Sequence, residues 1–309
     1  ALDAGFPADK IVFAGVGKAD WEINLGLDND IFCFNVESAV ELEIINELAA
    51  TKNKVASIAL RINPEVDAHT HAKITTGMKE NKFGINLSQL GGVLDKLKEM
   101  KNVKLIGIHS HIGSQITDMS SFRNLVIRFN EIQEELEAHG VTVENLNFGG
   151  GLGIDYYHPN HLSIPAFDNY FAAIHKLLQV RPGQQVHFEP GRSIVAQCGT
   201  LISKVLYVKE GETKKFAILD AGFTELIRPA MYDAYHRIEN ISSDEAVETY
   251  DVVGPICESS DVFGKDVELN KAHRGDLIAL RSAGAYGEVM ASQYNCRHLP
   301  KAYYSDTIK

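Results

Sequence analysis

The chain has 309 residues, 45% of them hydrophobic, which is enough for one large core and a smaller second one. Its formal net charge of −11 argues against nucleic acid or an anionic membrane as a partner, because an acidic surface repels both. The four cysteines stand far apart without a C-x-x-C spacing, which indicates neither a zinc site nor a disulfide framework and favours the reduced cytoplasm. No run reaches the roughly 20 apolar residues of a membrane helix.

Strand-like and helix-like patterns alternate through the first part of the chain. Short β-branched or apolar runs predict strands at 11–14, 31–34, 55–62, 103–109, 143–148 and 185–188. Helical spacing of apolar residues predicts helices at 19–27, 37–51, 88–100 and 120–137, and another that Pro165 begins. The polar loop 63–86 is longer than a plain connection, so we expect it to have a function.

Six strands separated by helices predict a parallel sheet with right-handed crossovers. Several strands end in polar or glycine residues, and a closed barrel gathers such ends on one face, whereas an open sheet spreads them along an edge. We therefore predict a (β/α)8 barrel over residues 1–195, with its first two strands before residue 1.

After residue 195 the helical patterns almost disappear. Strand-like runs at 201–208, 215–219, 248–253 and 277–283 are separated by turns, which predicts an antiparallel β domain over residues 196–309.

Two strand ends carry features suited to binding an anion, which are Arg192 and a glycine-rich backbone. Glu189 and Arg192 flank the Pro190-Gly191 turn, although a solvated ion pair between them is the structural alternative. Gly149-Gly150-Gly151-Leu152-Gly153 follows an apolar strand and can expose backbone N–H groups to phosphate, although a tight packing turn is equally compatible. The spacing does not match the dinucleotide pattern G-x-G-x-x-G. Counting two missing strands, these are the seventh and eighth strand ends, where barrels often bind phosphate.

His109 and His111 stand two apart and share a face of a predicted strand. A metal site would need a third ligand, and no acidic residue is clustered nearby. We therefore interpret them as core histidines or as rings stacked on a flat cofactor, with Gly113 and Ser114 offering further donors.

The second domain contains three further candidate groups. Arg228 and Tyr232 are spaced to converge on a carboxylate, although a solvated arginine is the alternative. The loop Cys257-Glu258-Ser259-Ser260-Asp261 displays a thiol and two carboxylates, although a buried inert cysteine is the usual case. Tyr286 stands among small residues, which suggests close packing over its ring.

Six motifs in order, HSHIGSQ, FGGGLGI, FEPGRS, LIRPAMY, CESSD and GAYG, resemble the diaminopimelate decarboxylase family of fold-type III pyridoxal-phosphate enzymes. The resemblance covers essentially the whole chain. It implies an alanine-racemase-like barrel followed by a β domain, pyridoxal 5'-phosphate as the cofactor, and decarboxylation of meso-2,6-diaminopimelate to L-lysine.

The resemblance also implies roles for individual residues. His111 would stack on the pyridine ring and Glu189 would meet its nitrogen. The phosphate would be surrounded by Ser114, Gly150, Gly151, Gly191 and Arg192. The distal carboxylate of the substrate would be held by Arg192, Arg228 and Tyr232. Its distal amino group would meet Glu258, Cys257 would reprotonate the product carbon, and Tyr286 would contact cofactor and substrate.

The family lysine that binds the cofactor covalently lies on its first barrel strand, in a segment that we expect before residue 1. Lys18, Lys73 and Lys82 match other family positions and are not substitutes for it. We therefore expect residues 1–309 to lack the covalent link and to be a poor catalyst by themselves. The resemblance further implies a homodimer in which the CESSD loop enters the partner's active site.

Two other hypotheses stay open at this point. One keeps the cofactor and changes the substrate to ornithine, arginine or carboxynorspermidine, which have less use for an arginine clamp on a carboxylate. The other is a non-catalytic homologue that regulates decarboxylase subunits. Intact Cys257, Glu189 and Arg192 count against it, because a retired site has no physical reason to keep all three.

Overall fold

The computed structural model describes residues 1–66, 82–161 and 166–307. Most of the predicted 63–86 loop, Lys73 and Pro165 lie outside them. The described residues form two compact units, which are 1–152 with 167–190, and 153–166 with 191–307. Domain boundaries at 195 and 196 stay a prediction. In the described part of the chain, we find no helix that has both the length and the apolar character to cross a bilayer.

The first unit is a parallel sheet with helices between its strands. Its strands are β1 Val12–Phe13, β2 Cys33–Val36, β3 Ala56–Asn63, β4 Ile85–Asn86, β5 Val103–His109, β6 Asn145–Asn147 and β7 Gln185–His187. Its helices are α1 Asp20–Asp28, α2 Ala39–Thr51, α3 Leu87–Glu99, α4 Met119–Ala138 and α5 Phe167–Leu177.

The strand order of this sheet is β1-β2-β3-β5-β6-β7, with β4 paired to the end of β3. Neighbouring strands follow one another along the chain, whereas a doubly wound open sheet reverses its order at a switch point. The prediction of an alanine-racemase-like barrel architecture is thereby confirmed. The prediction missed β4, because two residues are too short to show a period.

The two faces of the sheet are buried in different apolar clusters. Ile58, Leu60 and Ile62 of β3 point to the helices and join the main apolar core. Ala59 lies on the opposite face, in a small cluster with Cys33 and Ile106. Since a parallel strand is covered on both faces, β3 is apolar through most of its length. Polar residues on the face that carries Ala59 therefore need a specific explanation.

The second unit is a mixed sheet with short helices. Its strands are β8 Leu201–Glu210, β9 Lys215–Leu219, β10 Ile238–Asn240, β11 Val247–Val253, β12 Val262–Asn270 and β13 Leu277–Leu280, and its helices are α6 Arg192–Val195 and α7 Arg228–Tyr232. The strand order is β10-β13-β8-β9-β11-β12.

The structure differs from the predicted β domain in two respects. Strands β9 and β11 are parallel, so the sheet is not purely antiparallel; the long 220–246 connection permits the crossover that parallel pairing needs. The sequence also failed to reveal β10 and β12. In β12 the segment Gly264-Lys265-Asp266 has the composition of a turn, but it lies at an irregularity in the pairing with β11, where Asp266 has a φ of 51°.

Candidate functional site

A row of polar side chains crosses one face of the first unit's sheet. The register pairs Arg61 of β3 with His109 of β5, and His109 with Asn147 of β6. Because residues opposite each other share a face, the three side chains lie side by side at the carboxyl ends of their strands. All three are buried. A buried polar row is costly unless its members are paired, so the partners of each residue decide whether the row is stable.

Glu189 lies at the end of this row, two residues after β7 ends. Its Oε1 accepts a hydrogen bond of 2.8 Å from Asn147 Nδ2 and a weaker one of 3.5 Å from Asn35 Nδ2. His109 Nε2 lies 3.5 Å from Oε2, which is long for a hydrogen bond. Burial would raise the pKa of Glu189, but His109 and the hydrogen bond from Asn147 outweigh burial and lower it to about 2. Glu189 is therefore a carboxylate at neutral pH.

A buried ion pair closes the other end of the row. Arg61 Nη1 lies 2.7 Å from Glu37 Oε1, and the two side chains expose only 7% and 1% of their surfaces. Glu37 Oε2 also accepts a hydrogen bond of 2.9 Å from the backbone N–H of Gly84. The guanidinium packs over the ring of Phe83, with 4.9 Å from its central carbon to the ring centroid. The pair thus fixes the start of α2 and the 83–84 segment to the end of β3.

His111 follows β5 and is held in its neutral form. Burial lowers its pKa to about 4, and the positive charge of Arg61 acts in the same direction. Its Nδ1 accepts a hydrogen bond of 3.2 Å from the backbone N–H of Gly150. A nitrogen that accepts cannot carry a proton, so the geometry and the pKa agree. The predicted His111 and Gly150 are therefore in direct contact.

Gly150 and Gly151 lie so close to neighbouring backbone that any side chain on them would clash. A Cβ on Gly150 would lie 2.2 Å from the carbonyl oxygen of Glu189, and one on Gly151 would lie 2.5 Å from the carbonyl oxygen of Gly113. Gly151 also has a φ of 113°, which side chains rarely tolerate. Bare backbone at a strand end is what close approach of a phosphate requires. Ser114, half-buried, belongs to the same 113–116 segment, and Ile116 donates to the carbonyl of Gly151 at 2.9 Å.

In the second unit, the predicted Arg192 and Arg228 converge on one side chain that the sequence analysis did not select. Arg192 Nη1 donates to Tyr156 Oη at 2.6 Å, and Arg228 Nη1 donates to the same oxygen at 3.1 Å. Arg228 Nη1 also donates to His236 Nε2 at 2.8 Å. Burial lowers the pKa of Arg228, and repulsion from Arg192 lowers it further. Tyr232 ends α7 and is half-buried.

Tyr286 is placed beside Arg192. The central carbon of the Arg192 guanidinium lies 5.0 Å from the centroid of the Tyr286 ring, within the range of a cation–π contact. The sequence predicted close packing around Tyr286 from its small neighbours. One of them, Gly284, packs so tightly that a Cβ on it would lie 1.9 Å from the carbonyl oxygen of Val195. Gly191, the residue before α6, is exposed.

Cys257 and Glu258 stand exposed on a loop that is tied at its base. Asp261 accepts hydrogen bonds from the backbone N–H groups of Phe223 at 2.6 Å and Ile256 at 2.8 Å. Glu258 Oε1 accepts from the hydroxyl of Tyr294 at 2.7 Å. Cys257 is exposed, so the alternative of a buried inert thiol does not apply to it.

Two other features bear on the lysine and metal alternatives. Lys18 is buried and fully engaged, since its Nζ contacts Glu41 at 2.5 Å and the carbonyl oxygens of Gly15 and Asn35 at 2.8 and 2.7 Å. The residues that the structure describes include no cluster of three or more His, Cys, Asp or Glu side chains placed to bind a metal.

Sequence reasoning missed Asn35, Asn147, Tyr156 and His236 as members of these clusters. A signal existed for one of them. Asparagine is depleted in strands, so Asn147 at period two from Asn145 in a predicted strand indicates a polar face. Tyr156 and His236 had no such signal, because their partners are distant in sequence.

Comparisons with known proteins show which family the chain belongs to. Residues 1–196 match the sequence model of the family described as "Pyridoxal-dependent decarboxylase, pyridoxal binding domain". The diaminopimelate decarboxylase of Bacteroides thetaiotaomicron is 68% identical over 308 residues, which are 100% of this chain and 80% of that protein. The diaminopimelate decarboxylase of Zymomonas mobilis is 43% identical, over 97% of this chain and 70% of that protein. The crystal structure of the Helicobacter pylori diaminopimelate decarboxylase complexed with L-lysine superposes with a TM-score of 0.88 at 41% identity, over 95% of this chain and 73% of that one.

Proposed function

The chain belongs to the diaminopimelate decarboxylase family of pyridoxal-dependent decarboxylases, and we propose that it releases CO2 from meso-2,6-diaminopimelate to form L-lysine, the last step of lysine biosynthesis. Pyridoxal 5'-phosphate is its cofactor. The observation that supports the proposal most strongly is Glu189, a carboxylate with a pKa of about 2 beside a neutral histidine and a bare glycine backbone.

The residues of the first unit fit this cofactor. When bound, pyridoxal phosphate supplies an electron sink for the pair left behind as CO2 departs. We propose that Glu189 holds a proton on the ring nitrogen, since an ionised carboxylate stabilises a protonated pyridine. Neutral His111 would face the ring without adding charge. Gly150 would let its segment pack against the backbone of Glu189 and donate its N–H to His111, while Gly151 and Ser114 would face the phosphate.

Further roles follow the family resemblance. We assign additional cofactor contacts to Gly191, Arg192 and Tyr286. We assign the distal carboxylate of the substrate to Arg192, Arg228 and Tyr232, and its distal amino group to Glu258. Cys257 would hold the proton that returns to the substrate carbon, and its exposure is compatible with a group that must exchange protons.

A direct assay tests the activity. Assayed as the full-length protein and not as residues 1–309 alone, the enzyme with pyridoxal phosphate and meso-diaminopimelate should release CO2 and L-lysine in equal amounts, and Glu189→Gln should abolish this. Glu144→Gln is the matched control, because Glu144 is exposed just before β6 and its carboxylate, among the described residues, pairs with Lys104 alone, at 3.5 Å. Equal or greater CO2 release from ornithine or arginine would reject the substrate assignment. No release from any of them, with the cofactor bound, would support the regulatory alternative.

We also propose a cytoplasmic homodimer whose active sites each use the 257–261 loop of the partner subunit. Mixing the inactive variants Glu189→Gln and Cys257→Ala then tests the sharing. Hybrid dimers would contain one site with both residues intact, so up to about a quarter of the wild-type activity should return if subunits exchange freely. No recovery, despite exchange demonstrated by mass spectrometry, would contradict shared sites.

A further inference from the structure

Tyr156 is the meeting point of two buried like charges. Its oxygen accepts from Arg192 at 2.6 Å and from Arg228 at 3.1 Å, and the Arg228 guanidinium also lies 5.0 Å from the centroid of its ring. These three residues expose only 5–6% of their surfaces. Bringing two guanidinium groups together out of water is unfavourable, and a phenol oxygen offers only a partial negative charge in return. Tyr156 therefore holds the two guanidinium groups close together through one shared oxygen.

His236 fixes Arg228 from a second direction. Its Nδ1 lies 2.9 Å from the carbonyl oxygen of Arg281, and its Nε2 lies 2.8 Å from Arg228 Nη1. A guanidinium can only donate, so Nε2 must accept and Nδ1 must carry the proton. His236 thus acts as a neutral ring with one fixed tautomer. Burial lowers its pKa to about 4, which agrees with this assignment.

These contacts leave one edge of Arg228 for a ligand. Both protons of Nη1 are used, one by Tyr156 and one by His236. Within the described part of the second unit, no acceptor bonds to Nε or Nη2 of Arg228, and no carboxylate pairs with it. The Nε–Nη2 edge is the side of a guanidinium that binds a carboxylate through two parallel hydrogen bonds. Its rotation is already restricted by the bonds to Nη1.

We propose that Tyr156 and His236 are positioning residues that hold the Nε–Nη2 edge of Arg228 ready for the distal carboxylate of the substrate. This inference rests on the proposed function for the identity of that carboxylate. Both residues act through their hydrogen bonds to Arg228. They set specificity because an amine without a carboxylate gains nothing from an oriented guanidinium.

Two ligands separate this role from a merely structural one. L-lysine keeps the distal carboxylate, whereas cadaverine (1,5-diaminopentane) is the same chain without it. Their dissociation constants are measured with the cofactor-loaded protein by absorbance titration. Tyr156→Phe and His236→Leu should each weaken L-lysine about 10-fold or more, as for loss of a charge-assisted hydrogen bond, and change cadaverine less than about two-fold. His236→Gln should recover most of the loss, because its amide oxygen can accept from Arg228.

Matched controls are available at the exposed positions 157 and 158. Tyr157→Phe and His158→Leu alter the same residue types on the exposed surface and should change neither dissociation constant. Equal weakening of both ligands by the Tyr156 and His236 variants, or no weakening of L-lysine, overturns the positioning role. A wild-type protein that releases no CO2 from meso-diaminopimelate counts against the proposed function instead, and the ligand comparison still decides on Arg228 because it measures binding alone.

Discussion

The buried pair of Glu37 and Arg61 gives the sharpest test of how the polar row is stabilised. Glu37→Gln leaves a buried guanidinium without its counter-charge, and removing one partner of a buried ion pair costs about 3–5 kcal/mol. At about 4 kcal/mol the Tm should fall by roughly 8–16 °C. Differential scanning calorimetry measures this, and urea denaturation followed by circular dichroism gives the free energy of unfolding independently.

An exposed pair of nearly identical geometry serves as the control. Arg128 Nη1 lies 2.6 Å from Glu131 Oε2, but these side chains expose 39% and 51% of their surfaces. Since solvent screens such a pair, Glu131→Gln should leave the Tm almost unchanged. Replacing Glu37 and Arg61 together by Met should recover much of the loss, because no unpaired charge remains. Equal Tm shifts for both Gln variants, or a double variant as unstable as Glu37→Gln, would refute the reasoning.

Three further predictions concern the glycine loop, the buried histidine and the 257–261 loop. Gly150→Ala should abolish binding of pyridoxal phosphate in an absorbance titration, because its Cβ would meet a carbonyl oxygen at 2.2 Å, whereas Gly92→Ala, with open space in α3, should bind normally. Burial lowers the pKa of His236 to about 4 from its usual 6.5, so the folded protein favours the neutral ring. The stability that the neutral ring contributes is complete above pH 6.5 and is lost as the pH falls towards 4. In urea denaturation at pH 7 and pH 4.5, His236→Gln should therefore lose less stability between the two pH values than the wild type. Asp261→Ala leaves two backbone N–H groups without their acceptor and should speed amide hydrogen exchange across residues 254–261, whereas an unchanged rate would show that the carboxylate does not hold the loop.

Local patterns were sufficient for much of the fold and for placing candidate site residues at strand ends. The alternation of apolar strands and amphipathic helices predicted the parallel sheet, because the periods of 2 and 3.6 are properties of neighbouring residues. Glycine and proline at strand ends predicted where Glu189 and Gly150 lie, since these residues end regular structure by their own backbone preferences. Strand β12 was missed for the same reason, because its Gly264-Lys265-Asp266 segment has a local preference for a turn that pairing with β11 overrides.

The sequence by itself determined which chemical groups stand at which strand ends, and the order of its motifs was enough to indicate the family. Tertiary structure alone decided which groups meet. Asn147 contacts Glu189 across 42 positions of sequence, because strand register brings them together. Arg228 contacts Tyr156 across 72 positions, because of packing within the second unit. Period-two alternation tells which face a side chain occupies but not which strand lies next to it. The low pKa of Glu189 and the orientation of Arg228 therefore depend on long-range contacts that no local pattern contains.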